Sequence, residues 1–212
     1  MNVAIAGATG LVGSECLNLL QSEAEVKNIE VFARRALQLP GKAKFKETDF
    51  INFQKGEALD AGLCALGTTI RKAGSEDQFY KVDHDFILNF ARHCLARGAQ
   101  KFIVVSALGA DPQSRFFYSR VKGKTERDLR QLNFKSLVIL RPSLLLGDRQ
   151  EHRPVEQIAS FVAPLLSPLM IGPLRAGRPI QGWRVAKQAT ESLFRATAKN
   201  EIILNAQMLE RS

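Results

Sequence analysis

The sequence predicts an α/β protein in which helices cover both faces of a doubly wound parallel sheet. Two observations lead to this fold class. Strand-like runs alternate with helix-like stretches along most of the 212 residues, as in parallel sheets with right-handed crossovers. The chain also opens on a strand, a glycine-rich turn and a helix. We therefore expect one domain over residues 1–212, with its ligand at the carboxyl ends of the strands.

The opening element is a strand that leads into a helix. Val3 and Ile5, with small residues between them, suit a strand that is buried on both faces. A helical apolar period then runs from Leu11 to Leu20. Three glycines between the two elements allow a sharp turn and the close approach of a ligand: Gly7, Gly10 and Gly13.

The later elements follow from composition and spacing. Short runs of strand-like composition predict six more strands, over residues 29–33, 42–46, 62–66, 102–105, 137–140 and 202–204. Apolar residues at helical spacing predict helices over residues 78–97, 116–132 and 185–199. Gly98 stands where a glycine commonly ends a helix.

The composition of the chain changes at Pro142: six of the eight prolines lie between Pro142 and Pro179. The alternation of strands and helices breaks over residues 143–184. This irregular segment is expected either to cover the ligand site as a small lid or to wrap the domain without touching a substrate.

Composition argues against several classes of function. The net charge is +9, but the basic residues are spread along the chain, which argues against a nucleic-acid partner. No apolar stretch reaches the roughly 18 residues of a membrane span, and the N-terminal strand leaves no place for a signal peptide. Three cysteines in apolar contexts predict reduced thiols and a cytoplasmic protein. The three histidines lack metal-ligand spacing, so no metal is expected.

The glycine turn predicts a phosphate site. A helix that begins there directs free N–H groups and its positive dipole end into the turn. We expect a nucleotide to contact the turn residues Gly7, Thr9, Gly10, Leu11, Val12 and Gly13. The spacing G-x-x-G-x-x-G differs from the dinucleotide pattern G-x-G-x-x-G, so a tight turn of another α/β protein is the alternative.

Two arginines favour NADP(H) over NAD as the dinucleotide. NAD-binding sheets carry an acidic residue about 20 positions beyond the glycines, whereas an arginine there accommodates a 2′-phosphate. This chain has Arg34 and Arg35 at the end of the second predicted strand, and no acidic residue follows before Glu47. The alternative is that both arginines are ordinary surface charges.

A second group of residues suits chemistry on a carbonyl. Tyr118 and Lys122 are four residues apart on a predicted helix, so their side chains share one face. An ammonium beside a phenol favours the phenolate, and such a tyrosine can exchange a proton with a substrate oxygen. Ser106 ends the preceding strand, where its hydroxyl could hold that oxygen. An exposed tyrosine beside a solvated lysine is the alternative.

The order of these motifs resembles the short-chain dehydrogenase/reductase superfamily over about the first 150 residues. Further segments are similar to its atypical branch, typified by the Tat-interacting oxidoreductase-like proteins: residues 65–69, 72–75, 104–110 and 146–151. The resemblance implies a Rossmann-like fold that binds NADP(H) and reduces a carbonyl or quinone-like small molecule.

The same resemblance implies a role for individual residues. Ser106 would orient a carbonyl, Tyr118 would act as the acid or base, and Lys122 would bind the ribose and activate the tyrosine. Other residues would contact parts of the dinucleotide: Leu66, Gly67 and Thr68 the nicotinamide ribose, Asp49 and Phe50 the adenine, and Pro142 and Ser143 the nicotinamide.

Two other functions stay open. An NADP(H)-binding regulatory protein with little catalysis could use the same turn, although it has no need of Ser106, Tyr118 and Lys122 together. A semialdehyde dehydrogenase opens in a similar way, but it requires a nucleophilic cysteine in a further catalytic domain for which we expect no room. The sequence also allows a homo-oligomer and defines no interface for one.

Overall fold

The structure, a computed structural model, describes residues 1–147, 177–196 and 198–210. The strands in these residues are β1 (Asn2–Ala6), β2 (Asn28–Ala33), β3 (Ala43–Glu47), β4 (Ala61–Cys64), β5 (Lys101–Val105), β6 (Ser136–Arg141), β7 (Leu145–Leu146), β8 (Ile180–Gln181) and β9 (Asn200–Leu204). The helices are α1 (Leu11–Ser22), α2 (Ile70–Ala73), α3 (Glu76–Tyr80), α4 (Phe86–Ala96), α5 (Phe117–Arg130), α6 (Gly182–Phe194) and α7 (Asn205–Glu210). A π-helical turn, Lys81–Asp85, joins α3 to α4.

Seven of the described strands form one parallel sheet in the order β3-β2-β1-β4-β5-β6-β9. Each neighbouring pair runs in parallel. The sheet is built outward from β1 to β3 in one direction and from β4 to β9 in the other. The predicted doubly wound sheet is therefore confirmed, and its switch point, where ligands bind in such folds, lies between β1 and β4.

Two hydrophobic layers separate the sheet from its helices. On one face, α1 and α6 pack on the strands through fully buried side chains such as Leu20 and Val185. On the other face, α4 packs through phenylalanines such as Phe90, whose ring centroid is 5.9 Å from that of Phe102 in β5. Because helices cover both faces, β4 and most of β1 consist of small and apolar residues.

The helix predicted over residues 78–97 is interrupted. Thr69 and Ser75 cap the short helices α2 and α3 through their hydroxyl groups. The π-helical turn then widens the helix before α4 begins at Phe86. Apolar spacing does not reveal this turn, which carries Asp83 in a fully buried position.

Helix α6 spans Gly182–Phe194 rather than the predicted residues 185–199. Its carboxyl end meets Lys101 of β5, whose ammonium donates to three carbonyl oxygens there at 2.8, 2.9 and 3.1 Å. This cation satisfies carbonyls that a helix end leaves without partners. The end of α6 is thus stabilised by a tertiary contact that apolar spacing cannot show.

The predicted Pro-rich lid over residues 143–184 is only partly visible. Most of it, residues 148–176, lies outside the described residues. At its edges β7 pairs in parallel with β8. Helix α6 already begins at Gly182, so residues 182–184 are helical rather than irregular.

The long connection between β3 and β4 is held against α4 by aromatic rings. His93 of α4 stacks on Phe53 with 4.5 Å between ring centroids and 15° between planes. It also meets Phe32 edge-on at 5.3 Å. Burial and the neighbouring Arg97 lower the pKa of His93 to about 4, against a smaller opposing effect of Glu30. The ring is therefore neutral at neutral pH.

We expect His93 to make the protein less stable in mild acid. The folded protein keeps this ring neutral down to about pH 4, whereas an unfolded histidine is protonated below about pH 6.5. The contribution of the neutral ring is therefore complete above about pH 6.5 and is lost as the pH falls towards 4. For this half-buried ring the loss is about 1 kcal/mol.

Urea denaturation at neutral and at mildly acidic pH measures this loss. His93→Phe keeps the stacked ring but cannot titrate, so its free energy of unfolding should change less between the two pH values. An equal change in both proteins would contradict the role of His93.

Candidate functional site

The turn between β1 and α1 is packed so tightly that two of its glycines have no room for a side chain. Gly7 has a φ of +87°, and a Cβ there would lie 2.5 Å from the carbonyl of Ala65. A Cβ at Gly13 would lie 2.1 Å from the carbonyl oxygen of Gly7. Gly10 donates its N–H to that oxygen at 3.0 Å, and Val12 is buried in the core. The glycine pattern thus serves internal packing as well as any ligand.

The outer side of this turn is open. Thr9 and Gly10 are exposed, and α1 begins at Leu11 with no side-chain cap. The first N–H groups of the helix are therefore available to an anion. The Leu11 side chain extends towards Gly147 and Gly182, where an added Cβ would lie 2.7 Å from it in each case.

The residues predicted to surround the adenosine lie beyond the ends of β2 and β3. Arg34 and Arg35 follow β2 directly, are exposed, and have no ion-pair partner among the described residues. The Asp49 carboxylate accepts the N–H of Asn52 at 2.7 Å and the N–H of Ile51 at 2.8 Å. These hydrogen bonds lower the pKa of Asp49. Phe50 is buried, with its ring stacked on Phe86 at 5.5 Å, so its ring is not open to a ligand.

Tyr118 and Lys122 lie on α5, as the spacing predicts. The Tyr118 side chain is 39% exposed, and its ring packs on Phe79 with 5.5 Å between centroids. The Lys122 side chain is only 6% exposed, and Tyr118 is among the groups that raise its pKa. The pair thus combines an accessible tyrosine with a buried ammonium.

The partner of Lys122 is Asp83, a fully buried residue of the π-helical turn. Lys122 Nζ lies 2.8 Å from Asp83 Oδ1, and the N–H of Thr68 donates to Asp83 Oδ2 at 2.8 Å. A Cβ at Gly67 would lie 3.5 Å from the carboxylate and 3.8 Å from Lys122 Nζ, so the loop after β4 passes over the ion pair. Burial disfavours a charged Lys122, but Asp83 and Tyr118 outweigh burial and raise its pKa above the usual value.

Ser106 follows β5, but its hydroxyl is directed into a buried charge cluster. It donates to Oε1 of Glu126, a residue of α5, at 2.6 Å. Glu126 is 1% exposed, and it also accepts from Arg141 at 3.0 and 2.6 Å and from Arg130 at 3.3 Å. The hydroxyl proton that was predicted to hold a substrate carbonyl is thus donated to a carboxylate.

Pro142 and Ser143 follow β6 at the same edge of the sheet. Pro142 is buried, and its carbonyl oxygen accepts the N–H of Leu108 at 2.7 Å. The Ser143 N–H donates to Oδ1 of Asn205 at 3.0 Å, and the Ser143 hydroxyl donates to the carbonyl oxygen of Arg178. These bonds tie the residues predicted to flank the nicotinamide to the C-terminal elements.

Two residues of the site, Asp83 and Glu126, are not predicted from the sequence. Asp83 follows Phe79 by four residues and precedes Phe90 by seven, so the apolar stripe itself contained a signal for a buried carboxylate. Glu126 follows Lys122 by four residues, a spacing usually interpreted as a surface ion pair. In the structure both carboxylates are buried. Asp83 pairs with Lys122 of α5, and Glu126 pairs with Arg141 of β6 in addition to Arg130 of its own helix.

One loop joins the two halves of the candidate site. Where it leaves β4, its backbone packs against Gly7, and further on it passes over Lys122. The glycine turn and Lys122 therefore border the same short stretch of backbone at the carboxyl edge of the sheet. Among the residues that the structure describes, no group of three His, Cys, Asp or Glu side chains is placed to hold a metal ion.

Solved structures of low sequence identity share this fold. MoeE5, described in complex with UDP-glucuronic acid and NAD, superimposes with a TM-score of 0.72 and 14% identity over 96% of this chain and 75% of its own. The fold is the Rossmann-like doubly wound sheet that the order of the motifs predicts.

The chain belongs to the HIM1 family, whose sequence profile matches residues 30–169. FMP52 of Eremothecium gossypii is 35% identical over an alignment 220 positions long, gaps included, which covers 99% of this chain and 96% of that protein. HTATIP2 of Rattus norvegicus is 36% identical over 166 residues, which cover 74% of this chain and 68% of that protein. The predicted membership of the Tat-interacting oxidoreductase-like branch is therefore confirmed.

The prediction of a cytoplasmic protein is wrong. The fungal FMP52 relatives are named as mitochondrial proteins. The prediction rested on the cysteines, and all three are buried; buried thiols are shielded from oxidants in any compartment. Among the described residues, no helix has the length and apolar character that crossing a membrane requires.

We expect Glu126 to contribute more to stability than Ser106. Glu126→Gln would leave Arg141 without its carboxylate, at a cost of about 3 kcal/mol in the free energy of unfolding. Ser106→Ala removes one hydrogen bond and should cost about 1 kcal/mol. Urea denaturation measures both changes.

The control is Glu191→Gln on α6. Glu191 pairs with Lys187 at 3.9 Å, and both side chains are exposed, so this variant should cost under about 0.5 kcal/mol. If Glu126→Gln were as stable as Glu191→Gln, the buried ion pair would not hold α5 in place.

Proposed function

We propose that the protein is an NADP(H)-dependent reductase of a carbonyl or quinone-like small molecule. The observation that carries this proposal is the shared loop after β4, which packs against Gly7 on one side and over Lys122 on the other. The glycine turn suits a pyrophosphate, and Tyr118 beside Lys122 suits the transfer of a proton. Because both groups border one loop, a single dinucleotide could reach from one to the other.

The pyrophosphate and the nicotinamide half of a dinucleotide each have residues that suit them. The uncapped N-terminus of α1 would bind the pyrophosphate, with Thr9 and Gly10 at its open side. The loop after β4 and Lys122 would bind the nicotinamide ribose, and Pro142 and Ser143 would border the nicotinamide. When bound, NADPH supplies the hydride. The NAD complex of the similarly folded MoeE5 supports a nicotinamide dinucleotide without deciding between NAD and NADP.

The preference for NADP(H) would come from Arg34 and Arg35. Both follow β2, where a dinucleotide-binding sheet meets the adenosine ribose. Their exposure, without ion-pair partners among the described residues, leaves the guanidinium groups available to a 2′-phosphate. Planar guanidinium groups bind phosphate with two parallel hydrogen bonds, which an uncharged ribose hydroxyl cannot match.

Tyr118 would protonate the substrate oxygen. Its partly exposed side chain can be reached from solvent, and the raised pKa of Lys122 keeps the neighbouring ammonium charged. Ser106 could orient the carbonyl only after its hydroxyl leaves Glu126, to which it donates at 2.6 Å.

Exposed apolar side chains at the carboxyl edge of the sheet favour an apolar substrate. Large apolar side chains remain exposed after the strands of this edge: Ile70 after β4 and Leu108 after β5. Phe116, which immediately precedes α5, is 78% exposed. Exposed apolar groups beside a polar reactive group are typical of ligand sites. An aromatic ketone or a quinone would fit these side chains better than a charged sugar.

One observation favours a second candidate function, an NADP(H)-binding regulatory protein. Because the Ser106 proton is donated to Glu126, the site has one donor fewer for a substrate carbonyl. A protein that binds the dinucleotide and changes its affinity for a partner would not need that donor. Multiple turnovers of any carbonyl compound would favour the reductase over this alternative.

We expect the double variant Arg34→Ala/Arg35→Ala to lose its preference for NADPH. Removal of the charge-assisted bonds to the 2′-phosphate should weaken NADPH binding about a hundredfold, while NADH binding stays unchanged. Calorimetric titration of both cofactors measures the change. Lys44→Ala removes an exposed cation from the adjacent strand β3 and should leave both affinities intact. Tighter binding of NADH than of NADPH by the unaltered protein would contradict the preference.

We expect Tyr118→Phe to bind NADPH normally but to lose about 10² to 10⁴-fold in turnover, because the proton donor is missing. NADPH oxidation with naphthoquinone, phenanthrenequinone and benzaldehyde provides the measurement. The control is Tyr80→Phe, which alters the other tyrosine, a ring stacked on His84. Unchanged turnover in Tyr118→Phe would remove Tyr118 from its role.

A further inference from the structure

Asp83 connects the helix that carries Tyr118 to the loop after β4. One carboxylate oxygen lies 2.8 Å from Lys122 Nζ, and the other accepts the N–H of Thr68 at 2.8 Å. The main-chain carbonyl oxygen of Asp83 accepts the hydroxyl of Thr125, also at 2.8 Å. A single residue therefore holds a side chain of α5 and the backbone of the loop next to each other.

The Asp83–Lys122 pair is poorly explained by stability alone. Two charges lose their hydration when they are buried, and this loss offsets most of their attraction, so apolar residues of similar volume often serve a core as well. An ammonium group has three N–H donors, and the contact of Lys122 with Asp83 Oδ1 at 2.8 Å engages at most one of them. The others remain for Tyr118 and for a ligand that lies against the exposed backbone of Gly67.

The π-helical turn explains how a carboxylate reaches this position. The residues that follow Asp83 pair with each other, since His84 Nδ1 lies 2.8 Å from Asp85 Oδ1, and Asp85 is about half exposed. Asp83 instead has no exposed surface and faces Lys122. Turns of this type often occur at functional sites because they rotate one residue out of the regular helical order.

We infer that Asp83 is a positioning residue for the dinucleotide, which holds the Lys122 ammonium and the Thr68 backbone where both can contact the nicotinamide ribose. The inference rests on the proposed function, since it takes the ligand over this loop to be NADPH. Asp83 has no exposed surface, so it acts through Lys122 and Thr68 rather than by touching the ligand.

Two ligands distinguish positioning from general stabilisation. NADPH carries the nicotinamide ribose, whereas adenosine 2′,5′-bisphosphate is only its adenosine half and does not extend to Lys122. Calorimetric titration of the full chain with each ligand would compare Asp83→Asn, Lys122→Met and the double variant. Asp85→Asn is the matched control, because it changes the same side chain on the same turn at a residue that contacts His84.

Asp83→Asn and Lys122→Met should each bind NADPH about tenfold more weakly, the effect of one misplaced charge-assisted hydrogen bond. The double variant should bind no more weakly than Lys122→Met, because the amide oxygen of an asparagine can still accept the Thr68 N–H and the lost charge acts only through Lys122. Binding of adenosine 2′,5′-bisphosphate should change by less than about twofold in every variant. Asp85→Asn should bind both ligands normally.

Three results would overturn the inference: normal NADPH binding by Asp83→Asn, losses that multiply in the double variant, or parallel loss of both ligands. Asp83→Asn leaves a buried ammonium unpaired and could fail to fold. In that case Lys122→Met is compared with the double variant, and unequal NADPH affinities of these two proteins would overturn the inference. If the unaltered protein binds adenosine 2′,5′-bisphosphate as tightly as NADPH, only this inference fails. If it binds neither, the proposed function fails as well.

Discussion

Buried charge on helix α5 is the constraint on which the candidate site depends. Lys122 and Glu126 lie one turn apart, yet they pair with different elements, Lys122 with Asp83 of the π-helical turn and Glu126 with Arg141 of β6. Because an unpaired buried charge is strongly destabilising, α5 can dock only where both partners are in place. The position of Tyr118, one turn before Lys122, follows from this docking.

A steric constraint at the other end of the site has the same consequence. Gly7 and Gly13 have no space for a Cβ, because the turn packs on its own backbone and on the loop after β4. That loop is held on its far side by Asp83, through the N–H of Thr68. The glycine turn and α5 are distant in sequence, but both lie against the loop after β4.

Sequence patterns predict this protein well where a local period decides the structure. Strand-like composition located the seven strands of the sheet within two residues of their bounds, and the spacing of four placed Tyr118 and Lys122 together on α5. Prediction was poorer where a distant group acts. Helix α6 ends early at Lys101, and the hydroxyl of Ser106 is directed towards Glu126. The order of the motifs placed Ser106 at the correct edge of the sheet. It could not show which group accepts the hydrogen bond of its hydroxyl.

By itself, the sequence determined the fold class, the glycine turn and the tyrosine–lysine pair, because helical and strand periods and the conformational freedom of glycine are local properties. Only the tertiary structure decided which charges are buried and with what they pair. Asp83 and Lys122 are 39 positions apart in the chain, and nothing in either segment marks the other as its partner. They meet because the π-helical turn and α5 pack around the loop after β4. Burial there removes water from both charges, so each is stable only beside the opposite charge.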